Sequence, residues 1–301
     1  MKYKFERIGI EVTSVCNNSC MVCPRATMYK RTPSTMPMEL FHKIIMDISE
    51  NMIEKTVVLG GMGDPSCDNL LIDRLRFAKE RTPELDIIIS SNMEVWSKKY
   101  SDIIVEENLL SKLRFSVFAV TEDASFKIYR NKTYAANARR NIEYFLKKNE
   151  ENGRPVRTSI YTLMLEENKI EIDIIKEIYW DKVDGFEVWK PHSWSNRYPH
   201  LRERLRERQK CNRVEEFEAS IRVNGDMCAC SMDINHNLVY GNLHSQTIEE
   251  IYESDSYKYF RDLNRNGLIE NLEMCRECSF LNKTENALIE KKMSECEKVY
   301  K

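Results

Sequence analysis

Cys16-Asn17-Asn18-Ser19-Cys20-Met21-Val22-Cys23 follows directly on an apolar, strand-like run, Arg7–Thr13, and decides how the chain is read. Its cysteines stand in a Cys-x3-Cys-x2-Cys spacing. Three thiolates can hold three irons of a 4Fe–4S cube and leave the fourth iron open to a small chelating ligand. That is the layout of a reactive cluster rather than of a closed structural site. Cysteine makes up 10 of 301 residues, so chance places three at a set spacing with a frequency of only roughly 0.01. A zinc site, or three unrelated thiols, is the alternative that spacing alone leaves open.

Outward from this run, strand-like segments recur at Thr56–Leu59, Asp86–Ser90, Lys112–Val117, Thr158–Leu165 and Phe186–Trp189. Helix-like stretches lie between them, at Met38–Glu50, Asn69–Arg81, Lys98–Glu107, Tyr134–Lys148 and Lys169–Trp180. The alternation predicts an α/β fold with parallel strands and crossover helices, a partial (β/α)6 TIM-like barrel over residues 1–198. Chemistry in such folds collects at the C-terminal ends of the strands, where the cysteine run sits. Residues 199–210 include Leu201-Arg202-Glu203-Arg204-Leu205-Arg206-Glu207-Arg208 and predict a solvated linker helix, with an anion-binding face as the alternative. Residues 211–283 predict a small cysteine-rich domain with a hairpin near Ile221–Asp226 and a helix near Thr247–Ser254. Residues 284–301 read as a charged C-terminal helix.

Composition narrows the class. Apolar residues are 42% and charged residues 31%, as in a globular protein. A net charge of −2 gives no general basic footprint for nucleic acid. The opening residues Met1–Arg7 are charged and lack the apolar core of a signal peptide, and no run is long enough to span a membrane. The expectation is a cytoplasmic protein without nucleic-acid or membrane partners, where reduced thiols serve metal ligation rather than disulfides.

With these residues in view, the chain resembles the radical S-adenosylmethionine superfamily. Besides the cysteine run, Gly61-Met62-Gly63-Asp64-Pro65 resembles the family's Gly-x-Gly-Glu-Pro loop, with Asp in place of Glu. Ser91-Asn92-Met93 is similar to its Thr-Asn-Gly, Phe115-Ser116-Val117 to its Ile-Ser-Ile, and Tyr129-Arg130 to its Tyr-x-x-Arg region. The resemblance implies that Cys16, Cys20 and Cys23 hold a 4Fe–4S cluster whose open iron binds S-adenosylmethionine. It also implies that Val22, Gly61, Gly63, Asp64, Ser91, Asn92 and Ser116 surround that cofactor. The glycines would let backbone approach its amine, and the serines and Asn92 would bond ribose hydroxyls.

Cys211, Cys230, Cys275 and Cys278 form a second set. Gly225-Asp226-Met227-Cys228-Ala229-Cys230, Tyr240-Gly241-Asn242-Leu243 and Thr247–Tyr252 resemble the SPASM and Twitch extensions of the superfamily. Ser279–Asn286 holds no cysteine, which favours the Twitch arrangement with one auxiliary 4Fe–4S cluster. A structural Zn(Cys)4 ribbon is the alternative. Cys228 is read as a ligand replacing Cys230, a hydrogen-atom donor, or a buried inert thiol. Cys67 and Cys296 are expected to be unligated.

After the sixth strand comes Glu187-Val188-Trp189-Lys190-Pro191-His192-Ser193-Trp194-Ser195-Asn196-Arg197. Lys190, His192 and Arg197 are candidate catalytic or substrate-binding residues, with His192 as proton acceptor. The layout is similar to that of 2-deoxy-scyllo-inosamine dehydrogenases, in which an arginine at the place matched by Arg197 contacts substrate. The expected activity is radical dehydrogenation of a hydroxyl on a small sugar- or aminocyclitol-like molecule, the auxiliary cluster accepting the second electron. A flavodoxin- or ferredoxin-type protein would supply reducing electrons. The alternatives are epimerisation or crosslinking of a ribosomally made precursor peptide, and a non-catalytic zinc scaffold.

Overall fold

The computed structural model describes residues 5–51, 55–195, 207–211, 213–214, 218–228, 230–282 and 287–291. Six parallel strands come first: β1 (Arg7–Ile10), β2 (Thr56–Leu59), β3 (Asp86–Ser91), β4 (Lys112–Ser116), β5 (Arg157–Leu163) and β6 (Gly185–Trp189). Each pairs with its sequence neighbour. The crossovers are α1 (Met38–Asn51), α2 (Leu71–Arg81), α3 (Lys98–Glu106), the pair α4 (Glu122–Tyr129) and α5 (Tyr134–Glu151), and α6 (Glu171–Tyr179). This is the partial barrel that the alternation predicts. α4 was not anticipated: its eight residues carry too short a periodic pattern, and it ends on Arg130 in the left-handed conformation, φ 60°.

The strands alternate with a period of two, and the alternation gives the barrel its character. Ile8, Ile10, Val57, Leu59, Ile87, Ile89, Leu113, Phe115, Ile160, Phe186 and Val188 are buried in the main core. The intervening positions are mostly polar or small: Arg7, Gly9, Ser90, Arg114, Tyr161 and Trp189, with Val58, line a cavity inside the barrel. A TIM barrel fills this space with branched apolar side chains. Here the inward face holds charges, which leaves a polar hollow.

The sheet does not stop at the barrel. β7 (Glu218–Ile221) pairs parallel to β1, and β8 (Asp226–Cys228) and β9 (Val239–Asn242) follow antiparallel. The expected hairpin is thus β7–β8, and it prolongs the barrel sheet instead of starting a separate one. α7 (Ile248–Tyr252) forms where expected, fixed by a capping box between Thr247 and Glu250. α8 (Asp255–Arg265) and the one-turn α9 (Glu273–Arg276) complete the region.

Two expectations need correction. Residues 287–291 are not helical: β10 (Ala287–Lys291) pairs antiparallel with β6 on the sheet's other edge. An open edge of β6 offers unpaired backbone groups that a strand satisfies and a helix cannot. The proposed linker helix lies mostly outside the described residues, and 207–210 are not helical; Arg208 makes a bridge to Asn282 instead. Cys296 also lies outside the described residues. Among the described residues, no helix is long and apolar enough to cross a membrane.

Gly63 shows how tightly the top of the barrel is packed. A Cβ there would sit 2.4 Å from the Thr13 carbonyl oxygen and 2.5 Å from that of Val15, both backbone atoms. At Gly60 a Cβ would meet nothing within 4 Å. Gly63→Ala is therefore expected to cost roughly 1–3 kcal/mol of stability, whereas Gly60→Ala stays within about 0.5 kcal/mol. Urea unfolding of the two variants checks this, and equal losses would contradict it.

Candidate active site

Cys16, Cys20 and Cys23 lie on the loop that leaves β1, half-buried. Glu94, beyond β3, anchors that loop: its carboxylate accepts from the side-chain amides of Asn17 (2.7 Å) and Asn18 (2.9 Å), and from that of Asn131. The Asn92 amide approaches the Cys16 sulfur at 3.9 Å and donates to Asn17 Oδ1 at 3.0 Å. Burial and the nearby Asp64 carboxylate push the Cys16 thiol up to about 12. Burial, then the charges of Cys23 and Cys16, hold the Cys20 thiol well above its ordinary value. The three sulfurs thus share one small region, and a coordinated metal would deprotonate them outright. Among the described residues no three His, Cys, Asp or Glu side chains converge on a single ion. A 4Fe–4S cube asks for something else, one thiolate per iron around a wider core, and three thiols on one loop fit it.

The glycine loop packs closely against the segment that follows β1. A Cβ on Gly61 (φ 152°) would sit 2.5 Å from Cγ of Glu11, and that on Gly63 would strike the carbonyls after β1. The glycines therefore admit the β1 loop, and their need is met inside the protein. Asp64, expected at the cofactor, engages both carboxylate oxygens internally. Oδ1 accepts from Ser66 N (2.9 Å), Ser66 Oγ (2.6 Å) and Ser91 Oγ (2.9 Å), and Oδ2 from Asn92 N (2.7 Å). Asp64 and Ser91 thus tie the β2 loop to the β3 loop. Met93 takes the place of the pattern's glycine in a left-handed conformation, φ 63°, at a cost of about 1–2 kcal/mol. Asn141 holds this turn by donating to the Met93 and Glu94 carbonyls. Ser116 is half-buried at the end of β4, and its carbonyl accepts from Tyr129 and Tyr134. Val22 is buried, and its carbonyl accepts the Trp194 indole N–H at 2.9 Å.

Trp194 therefore draws the segment after β6 over the first cysteine loop. His192 and Trp194 line the barrel cavity, which measures about 450 Å³. Lys190 is half-buried and does not line it; Asn196 and Arg197 lie outside the described residues. At the cavity wall, Arg7 bonds Glu218 at 3.0 Å, and the lining residues Arg114 and Glu11 pair with Glu187 and Arg31 behind them, Arg31 gripping Glu11 bidentately at 2.8 and 2.7 Å. Burial works to raise the Glu11 carboxyl, but Arg31 and the Arg222 charge outweigh it and hold it below its ordinary value. Sequence reading missed these charges. Their signal was present: each charged strand residue occupies the inward parity of its strand.

Cys211, Cys230, Cys275 and Cys278 converge in a box walled by Val214, Phe260, Ile269, Met274 and Leu281. Such a box suits a fully ligated cluster, which keeps water away from the thiolates. Arg208 clamps it from behind, donating to the carbonyls of Cys275 (3.0 Å), Arg276 (3.1 Å) and Cys278 (3.0 Å). Nothing in the charge-dense stretch around Arg208 marked that one arginine from its neighbours. Cys228 pairs across the hairpin with Ser220, is fully buried, and lines neither cavity. Burial pushes its thiol up to about 12, against the pull of Arg222 beside it.

His192 is the titratable group whose state the cavity controls most clearly. Burial, then the charges of Arg213 and Arg114, push it down to about 4. Between about 4 and the ordinary 6.5, the unfolded chain binds a proton that the folded chain refuses. Stability should therefore fall as pH drops through that window and be unaffected above it. His192→Gln should flatten the difference between unfolding midpoints at pH 7.5 and pH 5; an unchanged slope would show His192 protonated in the fold.

Comparison with known proteins places this geometry. The profile of the radical SAM superfamily matches residues 10–178, and that of an iron–sulfur cluster-binding domain matches residues 211–279. A curated relative, the S-adenosyl-L-methionine-dependent 2-deoxy-scyllo-inosamine dehydrogenase of Niallia circulans, is 23% identical over 281 residues, 91% of this chain and 93% of its own. The structure of BtrN with AdoMet and 2-DOIA superposes with a TM-score of 0.67 at 17% identity, covering 93% of this chain and 94% of BtrN. Streptococcus suis SuiB bound to precursor peptide SuiA gives 0.68 at 14% identity, covering 93% of this chain and 71% of SuiB. At these identities the structural likeness is one of fold. The superfamily profile spans more than half of the chain, and the sheet order and the cysteine loop after β1 agree with it: the chain belongs to the radical SAM superfamily and carries a C-terminal iron–sulfur cluster-binding domain.

Proposed function

We propose that this enzyme dehydrogenates a hydroxyl of a small polar molecule, sugar- or aminocyclitol-like, held in the barrel cavity. One observation carries the reading: that cavity and the four-cysteine box share a wall, since Arg213, Met232 and Phe280 line both. Removing a hydrogen atom from a carbinol leaves one electron to be disposed of, and a fully ligated cluster behind a single layer of side chains can take it. The name of the curated relative, a dehydrogenase, supports the same reaction type.

In this reading Cys16, Cys20 and Cys23 hold the first cluster, and Cys211, Cys230, Cys275 and Cys278 the second. When bound, the clusters and S-adenosylmethionine supply a 5′-deoxyadenosyl radical and an electron sink. The chain's own residues do the rest. Asn92 and Ser116 border the cofactor, while Asp64, Ser91 and Glu94 keep the three loops in register around it. His192, neutral at working pH, accepts the hydroxyl proton, and Arg114 and Arg213 steady the oxygen, which stays on the carbon as the carbonyl forms. Trp189, Trp194 and Tyr161 offer ring faces to the substrate. Cys228, covered by Arg222, packs the hairpin and takes no part. Lys190 and Arg197 remain candidate substrate contacts. A flavodoxin- or ferredoxin-type protein in the cytoplasm delivers the reducing electron.

Anaerobic enzyme should carry about eight irons. Alanine at Cys16, Cys20 and Cys23 should remove about four of them and all 5′-deoxyadenosine formation. Alanine at Cys211, Cys230, Cys275 and Cys278 should spare 5′-deoxyadenosine formation and abolish ketone. A panel of polyols and aminocyclitols, with S-adenosylmethionine and reductant, should yield ketone and 5′-deoxyadenosine in equal amounts. Turnover of a peptide and of no polyol would overturn this reading in favour of peptide modification, the setting named for SuiB.

Cys228→Ala separates the same two cases from another side. A dehydrogenase should keep its rate, whereas an epimerase that needs this thiol as hydrogen donor should stall.

A further inference from the structure

We infer that Gly60 and Ser90 form a notch in the barrel wall that receives the edge of the substrate ring remote from the cofactor, and that Ser90 bonds a second polar group there. The inference rests on the reading of the barrel cavity as the substrate site. It deepens that reading, because it requires a ring that carries a hydroxyl or amine besides the reacting one.

Inward positions of a parallel barrel fall into layers. Ser90 stands opposite Arg114 across β3 and β4. Glu11 and Gly60 directly follow the Ile10–Leu59 pair, and Gly60 and Ser90 directly follow the Leu59–Ile89 pair. Glu11, Gly60, Ser90 and Arg114 therefore share one layer, and all four line the cavity. Asn92, beside the cofactor in the reading above, comes two residues after Ser90, roughly 7 Å along the strand direction. The layer thus lies next below the cofactor.

Both ends of this layer are engaged within the protein, Glu11 by Arg31 and Arg114 by Glu187. Its middle is open. Among the described residues three glycines line the cavity, Gly9, Gly60 and Gly61. A Cβ on Gly61 would sit 2.5 Å from Cγ of Glu11, and one on Gly9 would lie 3.5 Å from the Ala219 carbonyl oxygen. A Cβ on Gly60 would meet nothing within 4 Å. Beside that gap, the half-buried Ser90 hydroxyl makes no hydrogen bond to any described residue. A hydroxyl can donate once and accept twice, so Ser90 can serve a hydroxyl or an amine alike. The side chain missing at Gly60 leaves room for the carbon that bears that group.

The test is steady-state ketone formation by the loaded enzyme over the panel of polyols and aminocyclitols, 2-deoxy-scyllo-inosamine and myo-inositol included. Ser90→Ala should raise KM about fivefold with kcat held within about twofold, the mark of a binding contact common to ground and transition state. Ser90→Thr keeps the hydroxyl and should recover most of that loss. Gly60→Ala, Gly60→Val and Gly60→Leu should raise KM in order of size, by about tenfold at Val. An iron content of about eight and an unchanged urea midpoint show that each variant keeps its fold and clusters. Should the larger Gly60 variants fail to fold, Gly60→Ala and Ser90→Ala decide the matter. A parent that makes ketone, with a KM that ignores both the Ser90 and the Gly60 substitutions, overturns this inference alone. A parent that makes ketone from no member of the panel overturns the substrate reading, and this inference with it.

Discussion

A period of two along six parallel strands governs this molecule. The strands turn Ile, Val, Leu or Phe outward to the helices, and most of them turn Arg, Ser, Tyr or Trp inward. The outward face closes the main core. The inward face cannot collapse, because charged and hydrogen-bonding groups keep their volume apart and need partners of their own. The cavity is therefore a product of the same alternation that builds the sheet. Its ion pairs, Arg7–Glu218, Arg114–Glu187 and Arg31–Glu11, are the means by which buried charge is tolerated there.

The loops above the sheet are organised by two carboxylates. Asp64 gathers donors from the β2 and β3 loops, and Glu94 gathers three asparagine amides around the cysteine loop. Neither engages a ligand through these bonds. Each removes freedom from a segment with no regular structure, so that the thiols arrive already placed. Such preorganisation is worth more than any single added contact, since a reactive group displaced by about 1 Å can lose orders of magnitude in rate.

Much of this was legible in the sequence because the signals were periodic or compositional. The six strands and five of the barrel helices fall within a few residues of where apolar spacing puts them. The second cysteine set assembles from four positions spread over nearly seventy residues. What escaped was of another kind. α4 is too short to show a period. β10 follows from an edge that exists only in three dimensions, where β6 lacks a neighbour. The internal bonds of Asp64 to Ser66, Ser91 and Asn92 were not foreseen, because a loop motif names a place and not the direction of a side chain. Glu94 and Arg208 act through contacts 37 to 77 positions away in the chain; no local pattern announces such partners.

β7 joins the barrel through backbone bonds to β1, from Arg7 opposite Glu218 to Ile10 opposite Ile221. The segment bearing Cys16 continues from one of these strands, and the hairpin leading to Cys230 from the other. Neighbouring strands keep a separation near 4.8 Å. The span between the two sulfur sets is therefore gauged by a hydrogen-bonded ladder and not by how two bodies happen to dock. A shared ladder makes that spacing a built-in constant of the fold, insensitive to any breathing of the helices outside.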